Sequence, residues 1–312
     1  MTNHPLISVV SPVYKAEKIV PVLVSRIVEE VSKVTDNFEI VLVEDCGPDN
    51  SWSKIEEEAR KDTRVKGIKL SRNFGQHYAI TAGFTYAQGD YVILMDCDLQ
   101  DNPKYIKDLY QSALTGNDIV LTYKEKRKHS FFKNLFASVY FVVFNYLIDN
   151  KDYNSSKNVG AYSLLSRKAL NAFLSMKEYH RHYLLIVRML GFTKAYVPIE
   201  HEARFEGKSS YSFSKLVKHA MYAITSQSDK LLRISISLGF CMFLFSLVWA
   251  AVIIYRYFTT GLLNGYASIM IFELLGTGII LISIGVAGMY IGKIFEQVKE
   301  RPLFIVDKSV NV

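Results

Sequence analysis

The chain has 312 residues, of which 50% are hydrophobic, and a formal net charge of +7 at pH 7. That length suffices for one large domain or for a domain with an appendage. The positive charge alone would allow a nucleic-acid partner, but the sequence has no basic stripe with interleaved aromatic residues. Nucleic acid is therefore not expected, and an anionic membrane surface or a phosphorylated ligand is the better partner.

The first 120 residues alternate short β-rich runs with amphipathic stretches, which is the pattern of an α/β domain with a mostly parallel sheet. The predicted strands are LISVVSPVY, FEIVLVE, VKGIKLSRN, DYVILMD and DIVLTYK. Ligands of an open parallel sheet bind outside the carboxyl ends of its strands. Three of these strands run into polar motifs, namely SPVY, VEDCG and MDCDLQD. The candidate site is therefore expected at that edge of the sheet.

Two carboxylates follow the fourth predicted strand at positions 96 and 98. In extended geometry, side chains two residues apart point the same way, so Asp96 and Asp98 could share one cation. Gln100 is next in the same alternation, and oxygen ligands of this kind suit Mg²⁺ or Mn²⁺. Asp101 is predicted to cap the following helix. The alternative interpretation is that these are ordinary turn residues at a strand end.

Two later stretches, residues 131–148 and 210–226, mix aromatic and aliphatic residues with lysines. They are predicted to be amphipathic helices lying on the cytoplasmic leaflet, with core helices as the alternative. The segment RFEGKSSY, residues 204–211, combines cations and hydroxyls that could hold a phosphate. Its alternative interpretation is a solvated basic loop.

Two apolar runs near the end of the chain predict membrane spans at about 234–255 and 268–292. Cations flank the pair on both outer sides, so both termini are expected in the cytoplasm and the protein in the inner (plasma) membrane as a multi-pass protein. A buried helical hairpin is the alternative. Two spans alone occupy a small area of the membrane, so self-association into a homo-oligomer is compatible with the sequence. The predicted divisions are 1–125, the core of the α/β domain; 126–233, the remainder of that domain with the two amphipathic helices; and 234–312, a hairpin with a cytoplasmic tail.

The sequence contains no nucleophile elbow, P-loop or Gly-x-Gly-x-x-Gly motif, which disfavours hydrolases, kinases and dinucleotide-binding enzymes. Its motifs, in order, are SPVYKAEK, IVLVEDCGPDNSW, LSRNFGQHYAITAGFTYAQGDYVILMDCDLQDNP and RFEGKSSYSFSKL. With the two spans, this series resembles the polyprenyl-phosphate glycosyltransferases, relatives of dolichyl-phosphate mannose synthase in glycosyltransferase family 2, over nearly the whole chain.

The resemblance implies a GT-A, Rossmann-like catalytic domain that moves a sugar, with inversion, from a UDP- or GDP-linked donor to undecaprenyl or dolichyl phosphate. Residues 1–125 would be its nucleotide-sugar-binding core, and residues 126–233 would complete it with the acceptor site. It implies Mg²⁺ or Mn²⁺ held by Asp98 and Gln100. The implied nucleotide-sugar-binding residues are Pro12, Tyr14, Glu17, Asp45, Asp96 and Lys208. The implied acceptor-phosphate residues are Lys124, Arg127, Arg204 and Ser209. The implied catalytic residues are Asp96, Asp98 and Arg204.

The chain departs from the family pattern at two places. Where many relatives read Gly-Asp-Phe-Arg-Leu, it has Ala161 and Ser163 in place of the acid and the arginine, so it lacks the carboxylate sometimes proposed as a base, and whether a protein base exists stays open. Ser210 also stands where a lysine is usual, and Lys208 could compensate.

Two alternative functions are considered. One is a polysaccharide-elongating family 2 enzyme, although neither tryptophan lies in a Gln-x-x-Arg-Trp motif, and the other is a non-catalytic nucleotide-sugar-binding membrane protein.

Overall fold

The computed structural model describes residues 5–124, 159–200, 229–260 and 265–312. The chain divides into two compact units. The first comprises Met1–Lys128, Ser155–Ser209 and Arg301–Val312, and the second comprises His129–Asn154 and Ser210–Glu300. The two predicted interfacial helices, residues 131–148 and 210–226, lie outside the described residues.

The described part of the first unit alternates strands and helices. The strands are β1 (Ile7–Val13), β2 (Phe38–Glu44), β3 (Val65–Leu70), β4 (Tyr91–Leu94), β5 (Ile119–Lys124), β6 (Val159–Ser166), β7 (Lys194–Ile199) and β8 (Val306–Val310). The helices are α1 (Val20–Val31), α2 (Ser51–Lys61), α3 (Gln76–Tyr86), α4 (Ile106–Leu114), α5 (Arg167–Ser175) and α6 (Tyr183–Met189), with a 3₁₀ turn at Pro103–Tyr105.

These strands form one sheet in the order β7-β5-β6-β4-β1-β2-β3-β8. The central pairs β4–β1, β1–β2 and β2–β3 are parallel, as is β5–β7, whereas β6 and β8 run antiparallel to their neighbours. The predicted α/β class with a mostly parallel sheet is therefore confirmed. The five predicted strands correspond to β1 through β5, and β6, β7 and β8 were not predicted.

Helices cover both faces of the sheet. One apolar cluster packs α1, α2 and α4 on one face, and a second packs α3, α5 and α6 on the other. Every residue of β1 and β2 is buried, which explains why both strands are mostly apolar without strict alternation. Helix α1 shows how the sequence selects a helix, because its buried positions recur at helical spacing. They are Val20, Leu23, Val24, Ile27 and Val31.

The strand β8 returns to the sheet of the first unit from beyond the second long helix of the chain. It pairs with β3, and the Ser71 N–H group donates a hydrogen bond to the Ile305 carbonyl oxygen at 2.9 Å. The Asn311 side-chain amide donates to the carbonyl oxygens of Ala59 at 2.8 Å and Val65 at 2.9 Å. This segment was predicted to be a tail and not a strand, because a five-residue strand with three exposed side chains has little apolar pattern.

Gly67 in β3 leaves the space that β8 occupies. A Cβ atom at Gly67 would lie 2.6 Å from Ile55 Cγ2 and 2.8 Å from Val310 Cγ1. We therefore expect Gly67→Ala to overpack this contact and destabilise the first unit by about 1–3 kcal/mol. Thermal unfolding in detergent should show a lower midpoint, and adding Val310→Ala should restore part of it. An unchanged midpoint in Gly67→Ala would show that β8 is not held closely against β3.

The described part of the second unit contains two long helices, α7 (Lys230–Thr260) and α8 (Tyr266–Val298). Lys230–Arg256 and Leu275–Val298 are long and apolar enough to cross a membrane, and almost none of their most apolar stretches is buried. A core helix of a soluble protein would bury such a surface. The helices meet through aromatic contacts, including Trp249 and Phe272, whose ring centroids lie 5.6 Å apart. This exposed apolar surface indicates association with a membrane.

Candidate functional site

Three polar segments meet at the carboxyl edge of the sheet because β1 lies between β2 and β4. In the parallel registers, Val13 pairs with Glu44 and Val10 pairs with Leu94. The segments that follow these three strands therefore begin side by side. They are the segments that contain Tyr14, Asp45 and Asp96, which the sequence analysis placed at one edge.

Hydrogen bonds join the segment after β1 to the turn after β2. The Ala16 N–H group donates to Ser51 Oγ at 2.9 Å, and the Glu17 N–H group donates to Asp49 Oδ2 at 3.1 Å. The Glu17 carboxylate in turn accepts from the Asn50 side chain at 3.3 Å. These contacts fix the backbone that carries Glu17, one of the predicted nucleotide-binding residues.

The other two predicted nucleotide-binding residues of this segment differ in exposure. Pro12 is buried within β1, opposite Val43 of β2. Tyr14 follows the strand and is 45% exposed, so its ring is available to a ligand at the sheet edge.

Asp45 joins the end of β2 to the start of α3. Its side chain is 4% exposed, and its two oxygens accept hydrogen bonds from the N–H groups of Phe74 at 2.7 Å and Gly75 at 2.8 Å. Burial raises the pKa of this carboxyl, and the two N–H groups oppose that shift. Gly75 has φ +102°, a conformation that favours glycine, and directly precedes α3. Asp45 thus holds the turn from which α3 begins.

Gln76, the first residue of α3, contacts the predicted donor-binding carboxylate. Its Nε2 atom donates to Asp96 Oδ1 at 2.7 Å, across 20 residues of sequence. Gln76 was not among the predicted site residues. Its position in the sequence could have indicated it, because NFGQHY follows β3 and therefore begins at the same edge of the sheet as the three motifs.

The segment after β4 is a turn rather than a continued strand. β4 ends at Leu94 and Cys97 and Asp98 lie in a turn, so the extended geometry predicted for Asp96 and Asp98 does not hold. Leu99 has φ +58°, which also takes Gln100 out of the alternation. Instead, Asp98 Oδ1 accepts a hydrogen bond from the Gln100 N–H group at 3.1 Å. Both carboxylates remain next to Cys97, whose pKa is raised to about 12 mainly by burial and also by their charges.

The predicted helix cap after this turn was assigned one residue too early. Asn102, not Asp101, caps the 3₁₀ turn, since Asn102 Oδ1 accepts from the Lys104 N–H group at 2.9 Å. Asp101 is buried, with 4% of its surface exposed.

The side chains in this turn fit a metal ion that is shared with a substrate. Within the residues that the structure describes, no group of three or more histidine, cysteine, aspartate or glutamate side chains could hold a metal by itself. Asp96, Asp98 and Gln100 offer oxygen ligands, which Mg²⁺ and Mn²⁺ prefer. Mg²⁺ commonly uses one or two carboxylates together with substrate phosphates. The donor set therefore suits an ion completed by a diphosphate.

The position of the family's missing acid and arginine lies in β6. There Ser163 Oγ and the Tyr183 hydroxyl form a buried hydrogen bond of 2.6 Å, and burial raises the pKa of Tyr183. This hydroxyl pair is therefore a packing contact and not a base at neutral pH.

Lys124 ends β5. Four predicted residues lie outside the described part of the chain: Arg127, Arg204, Lys208 and Ser209.

The family model and the similar proteins found for this chain are all described as glycosyltransferases or sugar transferases. The family model described as Glycosyl transferase family 2 matches residues 8–174. The uncharacterized glycosyltransferase YkcC of Bacillus subtilis (strain 168) is 32% identical, over 100% of this chain and 96% of its own length. The undecaprenyl-phosphate 4-deoxy-4-formamido-L-arabinose transferase of Proteus mirabilis (strain HI4320) is 29% identical, over 98% of this chain and 94% of its own.

A solved structure shows the same fold. It is glucosyl-3-phosphoglycerate synthase from Mycobacterium tuberculosis, in complex with Mn²⁺, uridine diphosphate and phosphoglyceric acid. The similarity has a TM-score of 0.51 at 15% sequence identity, and it covers 71% of this chain and 76% of that one. At this identity the similarity concerns the fold.

Proposed function

Because the chain belongs to glycosyl transferase family 2, we propose that it transfers a sugar from a nucleotide-sugar to the phosphate of a membrane polyprenol. The observation that carries the proposal is the meeting of Asp45, Asp96 and Asp98 at one sheet edge, in a chain that also has two membrane-length apolar helices. The Proteus mirabilis relative, named for undecaprenyl phosphate and similar along nearly its whole length, supports this choice of acceptor.

The nucleotide of the donor would bind between the segments after β1 and β2. Tyr14 offers an exposed ring. Asp45 is buried and already accepts from Phe74 and Gly75, and its remaining lone pairs would accept from the N–H groups of a base. Pro12 and Glu17 would complete this pocket, with Lys208 on the diphosphate. Whether the base is uracil or guanine depends on the shape of this pocket.

The chemistry needs little acid–base help from the protein. A phosphate monoester has its second pKa near 6, so the acceptor is already a nucleophile at neutral pH. Its oxygen would attack the anomeric carbon while the bond from that carbon to the leaving diphosphate breaks, with inversion. Asp96 would orient the donor, and Asp98 with Gln100 would hold Mg²⁺ or Mn²⁺, which neutralises charge on the diphosphate when bound. The absence of an acid at Ala161 is compatible with this scheme.

The acceptor would approach from the membrane. Its phosphate would meet cationic and hydroxyl side chains, namely Lys124, Arg127, Arg204 and Ser209. With cations before α7 and after α8, the catalytic unit and both termini would lie on the cytoplasmic side of the plasma membrane. Self-association of the protein would enlarge the small footprint of two helices.

A transfer assay tests the proposal. Purified protein in detergent should move radiolabelled sugar from one member of a panel of UDP- and GDP-sugars to undecaprenyl phosphate, and EDTA should stop the reaction until Mn²⁺ or Mg²⁺ is restored. The matched control is undecaprenol without its phosphate, which should accept no sugar. Donor binding without transfer to any polyprenyl phosphate would overturn the proposal in favour of a nucleotide-sugar-binding protein. Growth of a polymeric product would favour a polysaccharide-elongating enzyme.

A further inference from the structure

A neutral side chain holds one of the two carboxylates at the sheet edge. Gln76 Nε2 donates a hydrogen bond to Asp96 Oδ1 at 2.7 Å, and the Gln76 side chain is exposed. Asp96 follows β4 and Gln76 opens α3, so this bond joins two separate elements. It fixes the orientation of a carboxylate that otherwise follows a short strand into a turn.

The backbone next to Gln76 is itself fixed by hydrogen bonds. The two N–H groups that immediately precede it, those of Phe74 and Gly75, are both bound by the buried Asp45 carboxylate. Behind it, α3 is anchored by a run of buried residues from Ala79 to Phe84. Its main chain is therefore held on both sides, which fixes the position from which the exposed side chain of Gln76 reaches Asp96.

The chemistry of the donor group also matters. A lysine or arginine at this position would compensate the charge of Asp96 and compete with a cation for it. The amide of glutamine orients the carboxylate and leaves its negative charge in place. That combination suits a carboxylate that must face a metal–diphosphate complex.

We propose that Gln76 is a positioning residue that sets the orientation of Asp96 for nucleotide-sugar binding, and that Asp45 supports it through the turn before α3. The proposal rests on the proposed function in assigning Asp96 to the donor. It adds a structural link between the end of β2, where the base would bind, and the end of β4, where the diphosphate would bind.

The test uses full-length protein with two substitutions at this position. Gln76→Ala removes the donor, and Gln76→Glu keeps the shape but places a carboxylate against Asp96. The matched control is Gln88→Ala, because Gln88 is an exposed glutamine just beyond the other end of α3. Calorimetry measures the affinity for UDP and for GDP with and without Mn²⁺, thermal unfolding measures stability, and kinetics separate kcat from KM for the donor.

We expect Gln76→Ala to weaken Mn²⁺-dependent nucleotide binding and raise the donor KM by about 10-fold, as for loss of one hydrogen bond to a charged group. Gln76→Glu should lose more, and Gln88→Ala should match the wild type. Nucleotide affinity equal to wild type in both Gln76 variants overturns the proposal, as does a fall in melting temperature that accounts for the whole effect. Wild-type protein that binds nucleotide but transfers no sugar would overturn the proposed function alone, because calorimetry needs no acceptor.

Discussion

Replacement of Asp98 with alanine should lower sugar transfer by roughly 10³-fold, equivalent to about 4 kcal/mol of transition-state stabilisation. Asp98 is the proposed metal ligand whose carboxylate is held in place by the Gln100 N–H group. Without it, the ion would keep one carboxylate at most from this turn, and the charge on the leaving diphosphate would be poorly neutralised. Initial rates at saturating donor and acceptor, measured over a range of Mn²⁺ concentrations, give the size of the loss.

Asp36→Ala is the matched control for this substitution. Asp36 is an exposed aspartate that precedes β2, at the amino end of that strand and so at the opposite edge of the sheet. It should therefore retain wild-type activity. Unchanged sugar transfer in Asp98→Ala would contradict the assignment of Asp98 as a metal ligand. If Asp36→Ala lost as much activity as Asp98→Ala, the loss would come from reduced protein stability and not from the metal site.

The second large effect is expected at Asp45. Asp45→Ala should destabilise the first unit by roughly 2 kcal/mol and raise the donor KM strongly, because it leaves the Phe74 and Gly75 N–H groups without their acceptors. Asp45→Asn keeps the volume and one acceptor oxygen, but it turns an NH₂ group toward one of the two N–H donors. Asp45→Asn should therefore bind the nucleotide-sugar more weakly than the wild type, with a smaller loss of stability than Asp45→Ala. Thermal unfolding and donor kinetics on both variants separate the two effects.

The pKa of Asp45 gives this prediction a pH dependence. Burial raises the pKa above its ordinary value of 3.8, so the folded chain holds this proton more tightly than the unfolded chain. The resulting stabilisation is present below about pH 4 and is lost as the pH rises through the raised pKa. Asp45→Asn lacks this contribution. Between pH 4 and pH 7, the unfolding free energy of the wild type should therefore fall relative to that of Asp45→Asn. A difference between the two proteins that stays constant with pH would contradict the raised pKa of Asp45.

Much of the fold could be predicted because the central strands β1, β2 and β4 are mostly apolar and mostly buried. The same runs predicted which strand ends would meet, since parallel strands share one carboxyl edge. The apolar lengths of α7 and α8 likewise indicated helices of membrane-spanning size. In each case the signal extends over many residues and does not depend on a single contact.

The details of the site depended on single backbone conformations and distant contacts. The strand ends at Leu94, and Cys97 and Asp98 already lie in a turn, which no residue type in this stretch signals. Nothing in the residue type of Leu99 signals φ +58° either, and this angle takes Gln100 out of the extended alternation. The bond from Gln76 to Asp96 joins residues 20 positions apart and needs the packing of α3 to form. β8 was missed for a related reason, since most of its stabilisation comes from pairing with β3 and from the space at Gly67.

The pairing of β8 with β3 also determines when this sheet can be completed. During synthesis, β3 emerges from the ribosome long before β8, and the segments of both long helices are made in between. Until then, β3 has an open edge with unpaired backbone groups, which is a template for association with other chains. Maturation of the catalytic sheet is therefore coupled to delivery of the helices, and a nascent chain stalled before residue 306 would carry that open edge.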